Sequence, residues 1–257
     1  MHGNHWQSMR RDEIAAAATA DTTLLLPIGA IEQHGPHLPI NTDSHAVTAV
    51  CERASLLPDA PPMLLLPTIW WGLSPYWLPF PGTISLRPET ILALIADIGT
   101  SVAAHGFRRV VIVNGHGGNA GIVAVAATQL AAAGIRAVSV NWWSVLGSTL
   151  ATLTPGDGGH IGHAGQTETS VQLALQPERV RMDAINADGC ADLVRMRERP
   201  FAGVGYAPPL PSLEAPNGVY GDAPAATAEL GERVLTLAAE RLAAFVAEFA
   251  GEATLGV

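Results

Sequence analysis

From residue 23 onward the chain alternates between short apolar runs and longer segments with helical composition. TLLLPI (23–28) is a continuous apolar hexamer closed by Gly29, the pattern of a strand buried on both faces. A loop rich in Gly, Pro and His follows, and residues 43–57 then read as a helix with Asp43 as its N-cap. MLLL (63–66) is a second buried run, stopped by Pro67. Pro88 opens a helix to about residue 105, RVVIV (109–113) is a strand, residues 118–133 a helix ended by Gly134, and RAVSV (136–140) another strand. Such alternation specifies an α/β fold with a mostly parallel sheet covered by helices on both faces. Further helices are expected at 167–176 and 225–250. Between them, residues 200–224 are rich in Pro and Gly, have no period and are too long for an ordinary connection, so they are expected to form a lid or an interface arm. One domain spanning residues 1–257 is expected.

Composition narrows the function. With 257 residues, 48% hydrophobic and 14% charged, the chain is large enough to bury a core without disulfides or a structural metal, so a metal here needs a chemical reason. A formal charge of −9 argues against a nucleic-acid partner. All 14 cations are Arg, which excludes Schiff-base catalysis and Lys-dependent phosphate loops. No apolar run reaches the roughly 18 residues of a membrane span, and the N-terminus lacks a secretory apolar core. A cytoplasmic protein is expected, with Cys51 and Cys190 as reduced, buried thiols.

Open parallel sheets bind ligands at the carboxyl ends of their strands. That rule singles out the loops at 29–42, 70–83 and 114–119. Six of the nine histidines (His34, His37, His45, His116, His160 and His163) lie in or beside strand-end loops. The first loop and the helix start after it bring Glu32, His34, His37, Asp43 and His45 together; NGHGGN brings His116, and GHIGHAGQTETS brings His160, His163 and Glu168. Carboxylate oxygen and imidazole nitrogen are the donors that Zn, Mn, Co or Fe(II) accept. One such loop is ordinary, whereas three at strand ends indicate a shared metal site. Two other readings use the same residues. Gly115, Gly117 and Ala120 outline the G-x-G-x-x-A turn of a dinucleotide-binding oxidoreductase, although no acidic residue follows at the ribose position. A non-catalytic metal-binding protein is the other.

The segments GAIEQHGPHLPINTD, FPGTISL, VIVNGHGGN and GHAGQTETS together resemble the creatininase (creatinine amidohydrolase) family, over residues 20–230. The resemblance implies a three-layer α/β/α sandwich, two divalent ions per chain (Zn, Mn or Fe), and a homo-oligomer, commonly a hexamer. The family includes creatininase, a formylamide hydrolase of deazaflavin synthesis and a peptidase that trims a ribosomal-peptide redox cofactor. By position, Glu32 would bind one ion, His34 the other, Asp43 would bridge them, and His116 would complete the first set. Creatininase has a Glu two residues after the histidine matching His116, but this chain has Gly118, so Glu168 is inferred to fill the vacancy. His163 matches the proton-shuttling histidine, with Glu168 beside it in catalysis, and His37 is expected to orient ligands from behind. Ser74, Trp77, Gly117, Trp143 and His160 are expected to meet the substrate. Creatininase carries Trp and Asp where this chain has Gly159 and His160, which points away from creatinine itself. The expected activity is hydrolysis of a small, cyclic or planar carbon–nitrogen amide by metal-activated water.

Overall fold

The computed structural model describes residues 4–157, 160–186, 190–191 and 215–251. Residues 200–214 of the expected lid or arm, and Gly159, lie outside these described residues. The elements are α1 (Arg11–Thr19), β1 (Thr23–Ile28), α2 (Thr42–Ser55), β2 (Met63–Leu65), α3 (Pro88–Ala104), β3 (Arg109–Asn114), α4 (Ala120–Ala132), β4 (Arg136–Asn141), α5 (Thr149–Leu153), α6 (Gln166–Leu175), β5 (Cys190–Ala191), β6 (Val219–Tyr220) and α7 (Ala228–Gly251).

Four strands form one parallel sheet in the order β2-β1-β3-β4. Alternate residues of each strand face opposite layers. Leu25, Val111 and Val113 pack with α2, α6 and α7 on one face. Leu24, Leu26, Ile28, Val110 and Ile112 pack with α3 and α4 on the other. This is the sheet covered on both faces that the alternating pattern specified, and the three-layer α/β/α sandwich that the resemblance implied. Because β1 is covered on both faces, all six of its residues are buried, which is why its sequence is apolar without alternation.

Local chemistry sets the element ends. Pro88 begins α3 at a position where its missing N–H costs nothing. Gly134, at φ +85°, ends the chain's excursion after α4. One expectation is corrected at α2: its cap is Asn41, and Asp43 lies within the first turn. The Asp43 carboxylate instead turns towards two imidazoles, as described below. The last helix starts at Ala228 rather than 225, after a short 3-10 turn at Ala223–Ala225 that contains Pro224. No described helix is long and apolar enough to cross a membrane.

Helix α7 lies directly on α6, the helix that carries Glu168. At Gly231 an added Cβ would stand 1.9 Å from the main-chain oxygen of Ser170, so only Gly permits this approach. Gly231→Val should therefore destabilise the protein by about 3 kcal/mol or more, as expected for overpacking against rigid backbone. Urea denaturation with an unchanged m-value checks this; a loss under 1 kcal/mol would show that the two helices separate freely.

Candidate metal centre

The carboxyl ends of β1 and β3 place the first two loops side by side. Asn114, the last residue of β3, receives the His116 N–H on Oδ1 at 3.1 Å and donates from Nδ2 to the His116 carbonyl at 2.7 Å. These bonds coil the NGHGGN turn back over the strand end. Asn119 ties it to its neighbours, donating to Gly29 O at 2.9 Å and accepting from Leu73 N–H at 2.9 Å. His116 is thereby fixed opposite the Glu32 loop.

Glu32, His34, Asp43, His116 and Glu168 converge and are all buried. Asp43 joins two clusters through different oxygens. Oδ1 lies 3.1 Å from His34 Nε2, which is in turn 3.5 Å from Glu168 Oε2. Oδ2 lies 3.0 Å from His116 Nδ1, which is 3.3 Å from Glu32 Oε1. Donor atoms within 4.8 Å of one another form the sets Glu32–Asp43–His116 and His34–Asp43–Glu168, with a third made by Glu32, His34 and His163.

The outer nitrogens select which atoms face inward. His34 Nδ1 lies 3.2 Å from Glu32 O and His116 Nε2 lies 3.1 Å from Leu73 O, both acceptors, so each ring holds one proton outward and leaves the other nitrogen, His34 Nε2 and His116 Nδ1, facing the centre as the one a cation would take. Both oxygens of Glu32 and Oδ2 of Asp43 are buried without a hydrogen bond. Unsatisfied buried carboxylate oxygens are costly, and a divalent cation is the partner that suits them. The residues present therefore fit the metals that the donor chemistry implies.

Charge within the cluster is strongly redistributed. Burial opposes charge on His34, but Asp43 and Glu168 overcome it and hold its pKa well above the ordinary value. For His116 burial is likewise outweighed, by Glu32 and Asp43. Burial would raise Asp43, yet the two imidazoles hold it below the usual carboxylate range. Glu168 is pushed up, chiefly by burial. His163 goes the other way: burial and then the charge on His34 hold it well below the ordinary histidine value.

A cavity of about 310 Å³ opens onto this centre, lined among others by Gly117, Trp143, His160, His163, Asp43 and Glu168. Trp77 reaches its edge but is 2% exposed and stacks on the His163 ring, 4.2 Å between centroids at 23°. Ser74 is set back from the cavity. It is fully buried behind His116, with Oγ 3.1 Å from Nε2, and lines no part of the cavity. His37 lies outside the donor sets: its Nε2 is 2.8 Å from Thr169 Oγ1, on the helix of Glu168, and burial followed by the charge of His34 lowers its pKa to about 4. Tyr76, Ile161 and Tyr220 also line the cavity and were not expected. Tyr76 was within reach of sequence reasoning, since it sits in the strand-end loop at 70–83; nothing in the sequence marks Tyr220.

The structure also explains Gly118. A Cβ there would lie 2.3 Å from Leu73 O, 2.4 Å from His116 Nε2 and 2.6 Å from the Tyr76 hydroxyl. The space behind His116 is filled, so no side chain from residue 118 fits in this arrangement. Glu168 Oε2 instead stands beside His34, held by the Ala164 N–H at 2.6 Å.

Residues 7–246 match the Creatininase family, described as creatinine amidohydrolase. The mycofactocin precursor peptide peptidase of Mycobacterium ulcerans is 37% identical over 225 residues, covering 82% of this chain and 79% of that one. The creatinine amidohydrolase of Pseudomonas putida is 31% identical over 250 residues, covering 91% and 92%. A structure described as creatininase Mn aligns with a TM-score of 0.80 at 30% identity, covering 97% of this chain and 100% of that one. A creatininase mutant described as Zn-Zn type gives the same TM-score, covering 97% and 99%.

Because His34 and His116 hold their protons to unusually high pH, cation binding must expel them. Metal affinity should therefore rise with pH, by up to about a hundredfold per unit where two protons leave. Calorimetric titration of Mn²⁺ at pH 6, 7 and 8 in buffers of different ionisation enthalpy measures both quantities. Binding independent of pH would show that the imidazoles are not ligands.

Proposed function

Since the chain belongs to the creatininase family, we propose that it is a metal-dependent amidohydrolase whose two-cation centre activates water against a small amide. The observation that carries this reading is Asp43, whose two oxygens face two separate donor sets. Glu32 and His116 would hold one ion, His34 and Glu168 the other, and Asp43 both. Bound there, two divalent cations would polarise the amide carbonyl and bring the pKa of a water towards about 7. A closed structural site would have no need of an opening, whereas Asp43, His116 and Glu168 line a cavity.

His163 carries the proton in this reading. Its Nδ1 faces the centre, 3.4 Å from Glu32 Oε1, and its low pKa keeps it neutral at pH 7. A neutral imidazole can take a proton there and return it to the departing nitrogen, which is too basic to leave as an anion. Glu168 contributes as a ligand and as the buried carboxyl beside the cavity. His37 steadies the Glu168 helix through Thr169. Gly117 leaves main chain open to the substrate, and Trp143, Tyr76 and Tyr220 form aromatic walls, with His160 exposed at the entrance.

A cavity of about 310 Å³ is at the small end for ligand sites, and flat walls suit a planar or cyclic group. A second reading is cleavage near the end of a peptide bearing such a group, favoured by the 37% identity to the precursor peptide peptidases against 31% to creatinine amidohydrolase. The dinucleotide reading is set aside for a physical reason: His116, within the G-x-G-x-x-A turn, is 3.0 Å from Asp43, and a pyrophosphate there would meet buried carboxylates.

A panel of creatinine, lactams, formanilides and short peptides with aromatic ends, assayed with Mn²⁺- or Zn²⁺-loaded protein, separates the two substrate readings. Asp43→Ala should lose both ions by elemental analysis and all hydrolysis while remaining folded by circular dichroism; full metal content would remove the bridging role. His163→Asn should keep its metals and slow kcat about a hundredfold or more. Unchanged turnover in that variant would retire His163 as the proton carrier.

A further inference from the structure

Asp157 lies outside the donor sets and outside the cavity, yet two segments that build them meet on its carboxylate. It is fully buried. Oδ1 accepts from Gln166 N–H at 2.9 Å and from Asp222 N–H at 3.2 Å, while Oδ2 accepts from Thr167 N–H and from the Thr167 hydroxyl, each at 2.8 Å. All four partners are donors, which suits an ionised carboxylate even though burial by itself pushes its pKa up. Two glycines permit the approach: an added Cβ would stand 2.5 Å from Oδ1 at Gly165 and 2.3 Å from it at Gly221.

The first of these segments opens α6, and Glu168 follows Thr167 directly. The turn before it is strained, with Ala164 at φ +52°, a region that residues with a Cβ rarely adopt. In that conformation Ala164 N–H donates to Glu168 Oε2 at 2.6 Å, which sets the carboxylate beside His34. Such strain persists only where the surroundings over-determine it. Here the turn is clamped at both ends: His163 and Tyr220 exchange main-chain bonds before it, and Asp157 grips Gln166 and Thr167 after it. The other half of the centre is held by different groups, because Asn119 fixes the His116 turn through Gly29 and Leu73.

We propose that Asp157 is a positioning residue for one of the two cations: by holding the start of α6 against the 220–222 turn it places Glu168, and so sets the affinity of the His34–Asp43–Glu168 site without affecting the Glu32–Asp43–His116 site. This rests on the two-cation reading. It gives unequal control of the two ions to a side chain that touches neither.

The test uses Asp157→Asn, whose amide nitrogen must face a main-chain N–H whichever way it is turned. In calorimetric titration of metal-free protein with Mn²⁺, one binding event should weaken by about tenfold or more while the other stays within about threefold of the parent. Electron paramagnetic resonance at two equivalents of Mn²⁺ should show the coupled spectrum of a manganese pair in the parent giving way to the six-line spectrum of a separate ion. In a Glu168→Gln background Asp157→Asn should cost the weakened event less than about twofold more, whereas in a Glu32→Gln background its full cost should remain. Hydrogen exchange of the metal-free protein reads the restraint itself: peptides over 163–170 and 219–223 should exchange about tenfold faster in Asp157→Asn, with those over 109–121 unchanged. If Asp157→Asn does not fold, Thr167→Val removes only the hydroxyl donor and should move the same ion and the same peptides by about threefold. Equal weakening of both ions, unchanged affinities, a full cost that persists beside Glu168→Gln, or unchanged exchange would overturn the proposal. Should the parent take up only one cation, the two-cation reading fails and the claim of unequal control with it, while exchange still decides whether Asp157 holds the start of α6.

Discussion

The structure is organised around three buried carboxylates, Glu32, Asp43 and Glu168, interleaved with His34, His116 and His163 at the ends of two parallel strands. Burying one such charge is expensive, and burying three together is sustained only where opposite charge stands between them. His34 and His116 supply part of that charge, their pKa values raised by the carboxylates beside them, whereas His163 stays neutral. Glu32, with both oxygens buried and without a hydrogen bond, sits where a cation would be accommodated. Folding and metal binding are thus two expressions of the same electrostatic balance.

The scaffold exists to hold that balance in place. Asn114 and Asn119 pin the His116 turn to the strand ends and to the Leu73 loop. Asp157, fully buried, accepts from Gln166 N–H at 2.9 Å, Thr167 N–H at 2.8 Å and the Thr167 hydroxyl at 2.8 Å, and so caps the helix that carries Glu168. Further along, His163 and Tyr220 exchange main-chain bonds at 2.9 and 2.8 Å, which joins the His163 segment to a cavity wall. Asn114, Asn119 and Asp157 are buried polar side chains bonded to main chain, the kind of contact that fixes position and not merely proximity.

This arrangement also accounts for the departure from creatininase at Gly118. In the proposed reading, the carboxylate that creatininase supplies from the turn matching that of His116 would come here from Glu168 on another helix, while the space behind His116 is taken by Tyr76 and Leu73 O. A ligand set defines positions for donor atoms, and the backbone that delivers them is free to differ.

Much of this was legible in the chain. Apolar runs at 23–28, 63–66 and 109–113 fixed buried parallel strands, because a strand covered on both faces has no polar side to show. Histidines and acids at strand ends located the centre, since a parallel sheet leaves its crevice there. Periodicity is silent, however, on which side-chain atom points where. That Asp43 lies inside its helix and not at the cap, that Ser74 hides behind His116, that Tyr220 reaches the cavity from almost two hundred residues beyond the first loop, and that Asp157 grips the start of the Glu168 helix were all decided by packing between distant segments. Local sequence sets residue type and secondary structure, but the approach of one segment to another depends on every layer between them, and only the folded chain resolves it.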